Sequence, residues 1–147
     1  MLTEGSPAPD FQVEGWSLRE ALRNGPVLLV FFKVSCPTCQ FTLPFLQRLE
    51  GSGLQIAAIS QDDQASTSEF LKRFHLTLRT LIDKPWDFTV SSAFRITQVP
   101  SLFLIEPDGT ISLAGEGFSK ADIERLGTRF GAVPFGIGDS VPSLRPG

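Results

Sequence analysis

Short continuous apolar runs alternate along the chain with helix-spaced apolar stripes. The run Val27–Phe32 has six consecutive apolar residues rich in β-formers, which is typical of a strand buried on both faces. Residues 54–60 repeat this pattern. A tight turn at residues 106–109 predicts a hairpin between residues 101–105 and 110–114. Two shorter strands are predicted at residues 11–13, as an edge strand, and at residues 80–82.

Helical signals fill the intervals between these strands. Ser17 caps a predicted helix at residues 18–23, and Ser119 caps a last helix whose apolar stripe ends at Phe130. Ser66 and Glu69 have the spacing of a capping box, which predicts a helix beginning there. Pro37 suits the first turn of a predicted helix at residues 37–50, and another helix is predicted near residues 88–94.

This order of elements predicts an α/β fold with a central mixed sheet covered by helices on both faces. A chain of 147 residues is most simply one domain. After Gly131, glycine, proline and serine dominate the sequence. We therefore expect a domain over residues 1–131 with an N-terminal extension, and a flexible C-terminal tail over residues 132–147.

Composition excludes several classes of function. The net charge of −3 and the lack of clustered Lys and Arg argue against a nucleic-acid partner. No apolar run approaches the roughly 18 residues that span a bilayer, so no membrane span is expected. Residues 1–5 lack the features of a signal peptide. The expected location is cytoplasmic for the chain as it stands, or extracytoplasmic if a leader was removed.

Both cysteines of the chain, Cys36 and Cys39, lie where the buried strand passes into a helix. Two cysteines this close cannot staple a fold, so they are interpreted as a reactive pair. A sulfur at a helix N-terminus meets unpaired amides and the positive end of the dipole, which stabilise the thiolate. Cys36 is therefore the expected attacking thiol and Cys39, one turn deeper, the resolving thiol. A Cys36–Cys39 disulfide is the only redox group expected, with no other cofactor.

A bare C-x-x-C motif also occurs as half of a zinc site or as a pair of inert buried thiols. Zinc needs four ligands, and the chain has no second cysteine pair and only one histidine, His75. No metal site is therefore expected. His75 follows a predicted helix and is interpreted as a surface or capping residue.

Four motifs together resemble the thioredoxin-fold thiol–disulfide oxidoreductases, within them the TlpA/ResA-like group related to the AhpC/TSA peroxiredoxins. They are Gly5-x-x-Ala8-Pro9-Asp10-Phe11, the strand–Cys36-Pro37-Thr38-Cys39–helix element with Pro44, the segment Phe94 to Pro100, and the hairpin Ser101 to Ile111.

The resemblance implies a thioredoxin-like fold and a cis Val99–Pro100 peptide packed against Cys36. The Val99 backbone would then pair with an extended substrate segment, with Pro37 and Thr38 beside it. The Thr38 hydroxyl is expected to donate to the Cys36 sulfur. Pro100 as an ordinary proline that opens a strand, and Thr38 as a solvent-facing helix residue, remain alternatives. The implied partners are protein dithiols or disulfides and a reductase or oxidase. The protein itself is expected to be a monomer.

The sequence departs from this family at two positions near the cysteines. Thioredoxins carry a buried Asp six residues before the first cysteine, where this chain has Val30, and a Trp where it has Ser35. Proton transfer at Cys39 would then use water, Lys33, or a carboxylate that the sequence does not identify. Thiol–disulfide exchange is the function expected. A thiol peroxidase with Cys36 as the peroxidatic residue and a non-catalytic redox sensor are the alternatives.

Overall fold

The computed structural model of the protein describes residues 1–147. The strands are β1 Gln12–Val13, β2 Trp16–Ser17, β3 Val27–Phe32, β4 Gln55–Ser60, β5 Arg79–Ile82, β6 Ser101–Ile105, β7 Ile111–Glu116, β8 Phe118–Ser119 and β9 Leu144–Arg145. The helices are α1 Leu18–Leu22, α2 Pro37–Gln47, α3 Gln64–Arg73, α4 Thr89–Ala93 and α5 Lys120–Phe130. No helix in the structure combines the length and the apolar character that crossing a bilayer requires.

A five-stranded mixed sheet in the order β5-β4-β3-β6-β7 forms the centre of the molecule. Strand β3 runs parallel to β4, and β4 runs parallel to β5, with α2 and α3 as the crossover connections. Strands β6 and β7 form the expected hairpin, and β6 lies antiparallel to β3. The predicted fold class is confirmed, and β3 lies at the centre of the sheet because its six residues are all buried.

Alternate side chains of β3 enter two separate cores. Leu28, Val30 and Phe32 lie in a cluster that also contains Cys39. Leu29 and Phe31 lie in a second cluster on the opposite face, against α1 and α4. This period of two follows from strand geometry, and it means that the chain buries Cys39 within the larger of its two cores.

Two predictions about local structure are wrong. Asp63, not Ser66, caps α3, since the Asp63 carboxylate accepts a hydrogen bond from the Ser66 amide at 2.7 Å. Asp and Ser are comparable N-cap residues, and here the one that comes first begins the helix. The strand near Phe11 is not an edge of the main sheet, because β1 pairs only with β2 in a separate hairpin.

Residues 132–147 pack against α2 and α5. The Arg48 guanidinium donates to the Pro134 carbonyl at 2.9 Å and pairs with the Asp139 carboxylate at 2.6 Å. The Phe135 ring lies 4.9 Å from the Phe45 ring, and β9 pairs with β8. The flexibility of this tail stays a prediction, but its docked position brings it to the cysteine pair.

Candidate active site

Cys36 is the N-cap residue of α2, at the point where β3 ends. Its Sγ accepts a hydrogen bond from the Cys39 amide at 3.1 Å, the place that an oxygen takes in most N-caps. Pro37 is the first helical residue, as predicted, and it is exposed. A half-buried sulfur therefore lies at the positive end of α2, where backbone amides stabilise negative charge.

Cys39 lies one turn further along α2 and is fully buried. Its neighbours in the core include Val30, Leu43 and Leu46. Burial raises the pKa of the Cys39 thiol far above its ordinary value, and the Cys36 side chain and the Asp62 carboxylate add to the increase. Val30 contributes to this apolar surrounding at the position where thioredoxins carry a carboxyl group. Cys39 is therefore held as the neutral thiol.

This raised pKa predicts a pH-dependent stability. Above about pH 8.5 the unfolded chain releases the Cys39 proton while the folded protein retains it. The free energy of unfolding of the reduced protein should therefore fall with rising pH, by up to about 1.4 kcal/mol per pH unit from this thiol. Urea denaturation under reductant between about pH 7.5 and 10 measures the slope.

The matched control is Cys39→Ala, which removes the thiol and leaves the other titrating groups in place. Its free energy of unfolding should decline less steeply above about pH 8.5 than that of the unmodified protein. Equal slopes for the two proteins would show that Cys39 does not titrate differently in the folded and unfolded states.

The loop before β6 faces Cys36 from the other side. The Val99–Pro100 peptide is cis, the isomer that the resemblance implies. The Cys36 thiol donates to the Val99 carbonyl at 3.5 Å, and Pro100 is buried beside it. The Pro100 carbonyl accepts from the Gly117 amide at 2.8 Å, which ties this loop to the end of β7.

Thr38 differs from both expectations for it. Its side chain is not solvent-facing, since the residue is only 5% exposed. Its hydroxyl does not donate to Cys36 but to the Pro146 carbonyl, at 2.6 Å. The tail therefore binds directly to the residue between the two cysteines. No local sequence pattern indicates this contact, because the tail has no apolar periodicity.

Four other polar or aromatic residues make no hydrogen bond with either cysteine. His75 is an exposed residue just after α3, and Trp86 is 94% exposed. Trp16 packs against Phe11 in the N-terminal hairpin, with ring centroids 5.6 Å apart. Glu116 accepts a hydrogen bond from Gln98 of the loop before β6, and so borders the site.

Asp62 is the carboxylate that sequence analysis did not identify. It follows β4, and it accepts a hydrogen bond from the Val34 amide, just after β3, at 2.8 Å. Its negative charge contributes to the raised pKa of Cys39. The signal that points to it is topological, because the carboxyl ends of adjacent parallel strands meet at one edge of the sheet. Asp62 is thus the carboxyl group whose charge acts on the buried thiol.

Comparison with known proteins finds a matching family and related sequences for most of the chain. A model of the AhpC/TSA family matches residues 5–114. The thiol-disulfide oxidoreductase ResA of Bacillus subtilis is 24% identical over 119 residues, 75% of this chain and 65% of the relative. The ResA protein of Halalkalibacterium halodurans is 30% identical over 107 residues, 69% of this chain and 59% of the relative. The chain thus spans less than two thirds of either relative.

A solved structure shows the same fold. The thioredoxin domain of a thiol-disulfide oxidoreductase from Bacteroides vulgatus superposes with a TM-score of 0.74 at 20% identity, covering 88% of this chain and 99% of that domain. The family match extends from the N-terminal extension through most of β7 and includes both cysteines and the Val99–Pro100 loop. The chain therefore belongs to the AhpC/TSA family and has the thioredoxin-like fold.

Proposed function

We propose that the protein is a thiol–disulfide oxidoreductase that exchanges disulfides with protein substrates through Cys36 and Cys39. One observation carries the proposal: a half-buried sulfur caps α2 beside the Val99 carbonyl, while a fully buried second thiol lies one turn behind it. The relatives named as thiol-disulfide oxidoreductases support the same chemistry. An attacking and a resolving thiol are what exchange through a mixed disulfide requires.

The reaction proceeds in two thiol-exchange steps. The Cys36 thiolate attacks one sulfur of a substrate disulfide, forms a mixed disulfide and displaces the other substrate sulfur as a thiolate. Cys39 then loses its proton and attacks the Cys36 sulfur, which releases the second substrate sulfur. One electron pair and two protons pass from the two cysteines to the substrate, and the Cys36–Cys39 disulfide is the product. The reverse sequence oxidises a substrate dithiol.

Asp62 is our candidate for the group that assists the proton transfer. A neutral, buried Cys39 must lose its proton when it attacks Cys36, and the Asp62 carboxyl group, held by the Val34 amide, is close enough to raise the pKa of this thiol. Asp62 is then the carboxylate that the sequence left unidentified as an alternative to water or Lys33. The Lys33 side chain is exposed, whereas Cys39 is fully buried, so Lys33 is not our candidate for this proton transfer.

Substrate would bind beside Cys36 as an extended segment. The Val99 backbone, Pro100, Pro37 and Thr38 border the sulfur, and an extended peptide is recognised there through main-chain hydrogen bonds. Disulfides in proteins form and persist mainly outside the reducing cytoplasm. An extracytoplasmic location would therefore supply the substrates that this activity needs.

The test is trapping of the mixed disulfide by Cys39→Ser. Without the resolving thiol, the first step proceeds and the second cannot, so Cys39→Ser should accumulate a covalent complex with a disulfide-containing protein such as insulin. Non-reducing electrophoresis and mass spectrometry measure it. Cys36→Ser is the matched control and should form no complex, because the buried Cys39 thiol does not reach substrate.

A parallel measurement of peroxide consumption separates the alternative functions. Peroxide turnover that survives in Cys39→Ser with an external thiol, without a trapped protein complex, would replace the proposal with a thiol peroxidase. A variant that neither traps protein nor consumes peroxide would leave only a redox sensor. Either result would contradict exchange with protein substrates.

A further inference from the structure

Residues 143–147, which we call the strap, lie across the candidate active site. Strand β9 within the strap pairs with β8 in antiparallel register, Phe118 opposite Arg145 and Ser119 opposite Leu144. The Lys120 amide donates to the Ser143 carbonyl at 3.0 Å and extends this ladder. The strap is thus held as an extended segment along a strand edge, the geometry in which one peptide chain recognises another.

The end of the strap reaches both sides of Cys36. On one side, the Pro146 carbonyl accepts the Thr38 hydroxyl at 2.6 Å, between the two cysteines. On the other side, the Gly147 backbone lies directly against the Val99 carbonyl, the same oxygen that accepts the Cys36 thiol at 3.5 Å. A substrate segment that pairs with Val99 would need the space that the strap fills.

The fit depends on two glycines and one cation. A Cβ on Gly117 would lie 2.5 Å from the Arg145 carbonyl, so only glycine lets the strap approach this closely. A Cβ on Gly147 would overlap the Val99 carbonyl. The Arg145 guanidinium lies 5.0 Å from the centre of the Phe41 ring, within cation–π range. The groove therefore accepts a small residue beside Val99 and a cationic residue over Phe41.

The strap is held by polar and edge contacts, not by burial. None of its five residues is buried, and Leu144 is 72% exposed. A segment with few buried apolar contacts opens at low free-energy cost. Another extended chain that makes equivalent hydrogen bonds can therefore replace it at a low net free-energy cost.

We propose that the strap is an autoinhibitory segment that occupies the substrate groove beside Cys36, and that a protein substrate must displace it. The identity of the competitor rests on the proposed function, but the occupation of the groove concerns access to Cys36 alone. An extended segment with a cationic side chain for Phe41 and a small residue for Val99 is the chemistry that displaces it best. The apparent affinity for substrate then equals the intrinsic affinity multiplied by the fraction of time that the strap is undocked.

The experiment measures how fast a bulky maleimide–polyethylene glycol labels Cys36 in the reduced full chain, with the modified cysteine identified by peptide mapping. Gly147→Ala places a Cβ against the Val99 carbonyl, which should displace the end of the strap and break the neighbouring Thr38–Pro146 hydrogen bond. The labelling rate should rise by about two- to tenfold, the factor that one net hydrogen bond contributes. Gly138→Ala is the matched control in the same tail. A Cβ at Gly138 meets nothing within 4 Å, so its labelling rate should equal that of the unmodified protein.

Deleting residues 143–147 is the second variant. It should label at least as fast as Gly147→Ala, and adding the peptide Ser-Leu-Arg-Pro-Gly at high concentration should slow it again. Circular dichroism and thermal unfolding show whether each variant is folded. If the deletion does not fold, Gly147→Ala against Gly138→Ala decides the question.

Equal labelling rates in Gly147→Ala, Gly138→Ala and the unmodified protein would overturn the proposal. Faster labelling without any trapping of insulin by Cys39→Ser would instead leave the strap in place and remove the proposed function. The two proposals therefore fail through different measurements.

Discussion

Replacing Cys36 with serine is expected to lower the rate of insulin disulfide reduction to the dithiothreitol background. The part of the rate that is due to the protein should fall on the order of 10³-fold or more. The thiolate is the attacking species in disulfide exchange, and a serine hydroxyl is not ionised at neutral pH. The fold should survive the change. Serine is a preferred N-cap residue, and its oxygen can accept the Cys39 amide as the Cys36 sulfur does. The lost activity then reports chemistry and not unfolding.

Ser35→Ala is the control for this substitution. Ser35 is exposed and adjacent to Cys36, and its side chain makes no hydrogen bond in the structure. Its turnover should stay within about twofold of the unmodified protein, as for most exposed positions. Substantial reduction of insulin by Cys36→Ser would contradict the assignment of the attacking thiol, since only Cys39 would remain to perform it.

The central elements follow from local sequence because each is specified by its own residues. The run Val27–Phe32 forms β3 with the predicted bounds, and the hairpin of β6 and β7 follows the predicted turn. Cys36 caps α2 because Pro37 fits the first helical turn and the apolar strand ends just before it. The position and burial of Cys39 follow from helix geometry, one turn after the cap.

The remaining part of the site is made by contacts between distant positions, which no local pattern encodes. Asp62 reaches the Val34 amide across 28 positions, and Thr38 reaches Pro146 across 108. The composition of the tail is that of a flexible segment, yet its backbone pairs with β8. The cis Val99–Pro100 peptide was implied only by family resemblance, because roughly 5% of X-Pro bonds in folded proteins are cis.

The burial of Cys39 and the docking of the strap give the two thiols different access to substrate. Cys39 is buried among apolar residues and keeps its proton, so it reacts only with a sulfur already placed on Cys36. Cys36 is half-buried and bordered by a releasable segment. In the proposed reaction the order of attack is a consequence of packing: substrate would meet Cys36 first, and Cys39 would resolve the complex from inside the protein.

Phe118→Ala is expected to have the largest effect on stability, about 3–5 kcal/mol in the free energy of unfolding. Phe118 is 1% exposed and joins β8 to α2 and to the tail. Its ring lies 5.0 Å from the Phe41 ring and 6.1 Å from both the Phe45 and Phe135 rings. Removing the ring leaves a cavity among three aromatic partners, two on α2 and one in the tail, that cannot readily close over it.

Urea and thermal unfolding of the reduced protein measure this loss, which corresponds to a fall in Tm of about 6–20 °C for a chain of this size. Trp86→Ala is the matched control, because it removes a larger aromatic side chain that is 94% exposed and should change stability by less than about 0.5 kcal/mol. A loss under about 1 kcal/mol for Phe118→Ala would mean that the aromatic cluster repacks freely.

Phe118 also supports the strand edge along which the strap lies, so Phe118→Ala should expose Cys36 to the bulky maleimide at temperatures where the domain is still folded. That result would link the aromatic core to access at the active site, although Phe118 forms no hydrogen bond with either sulfur.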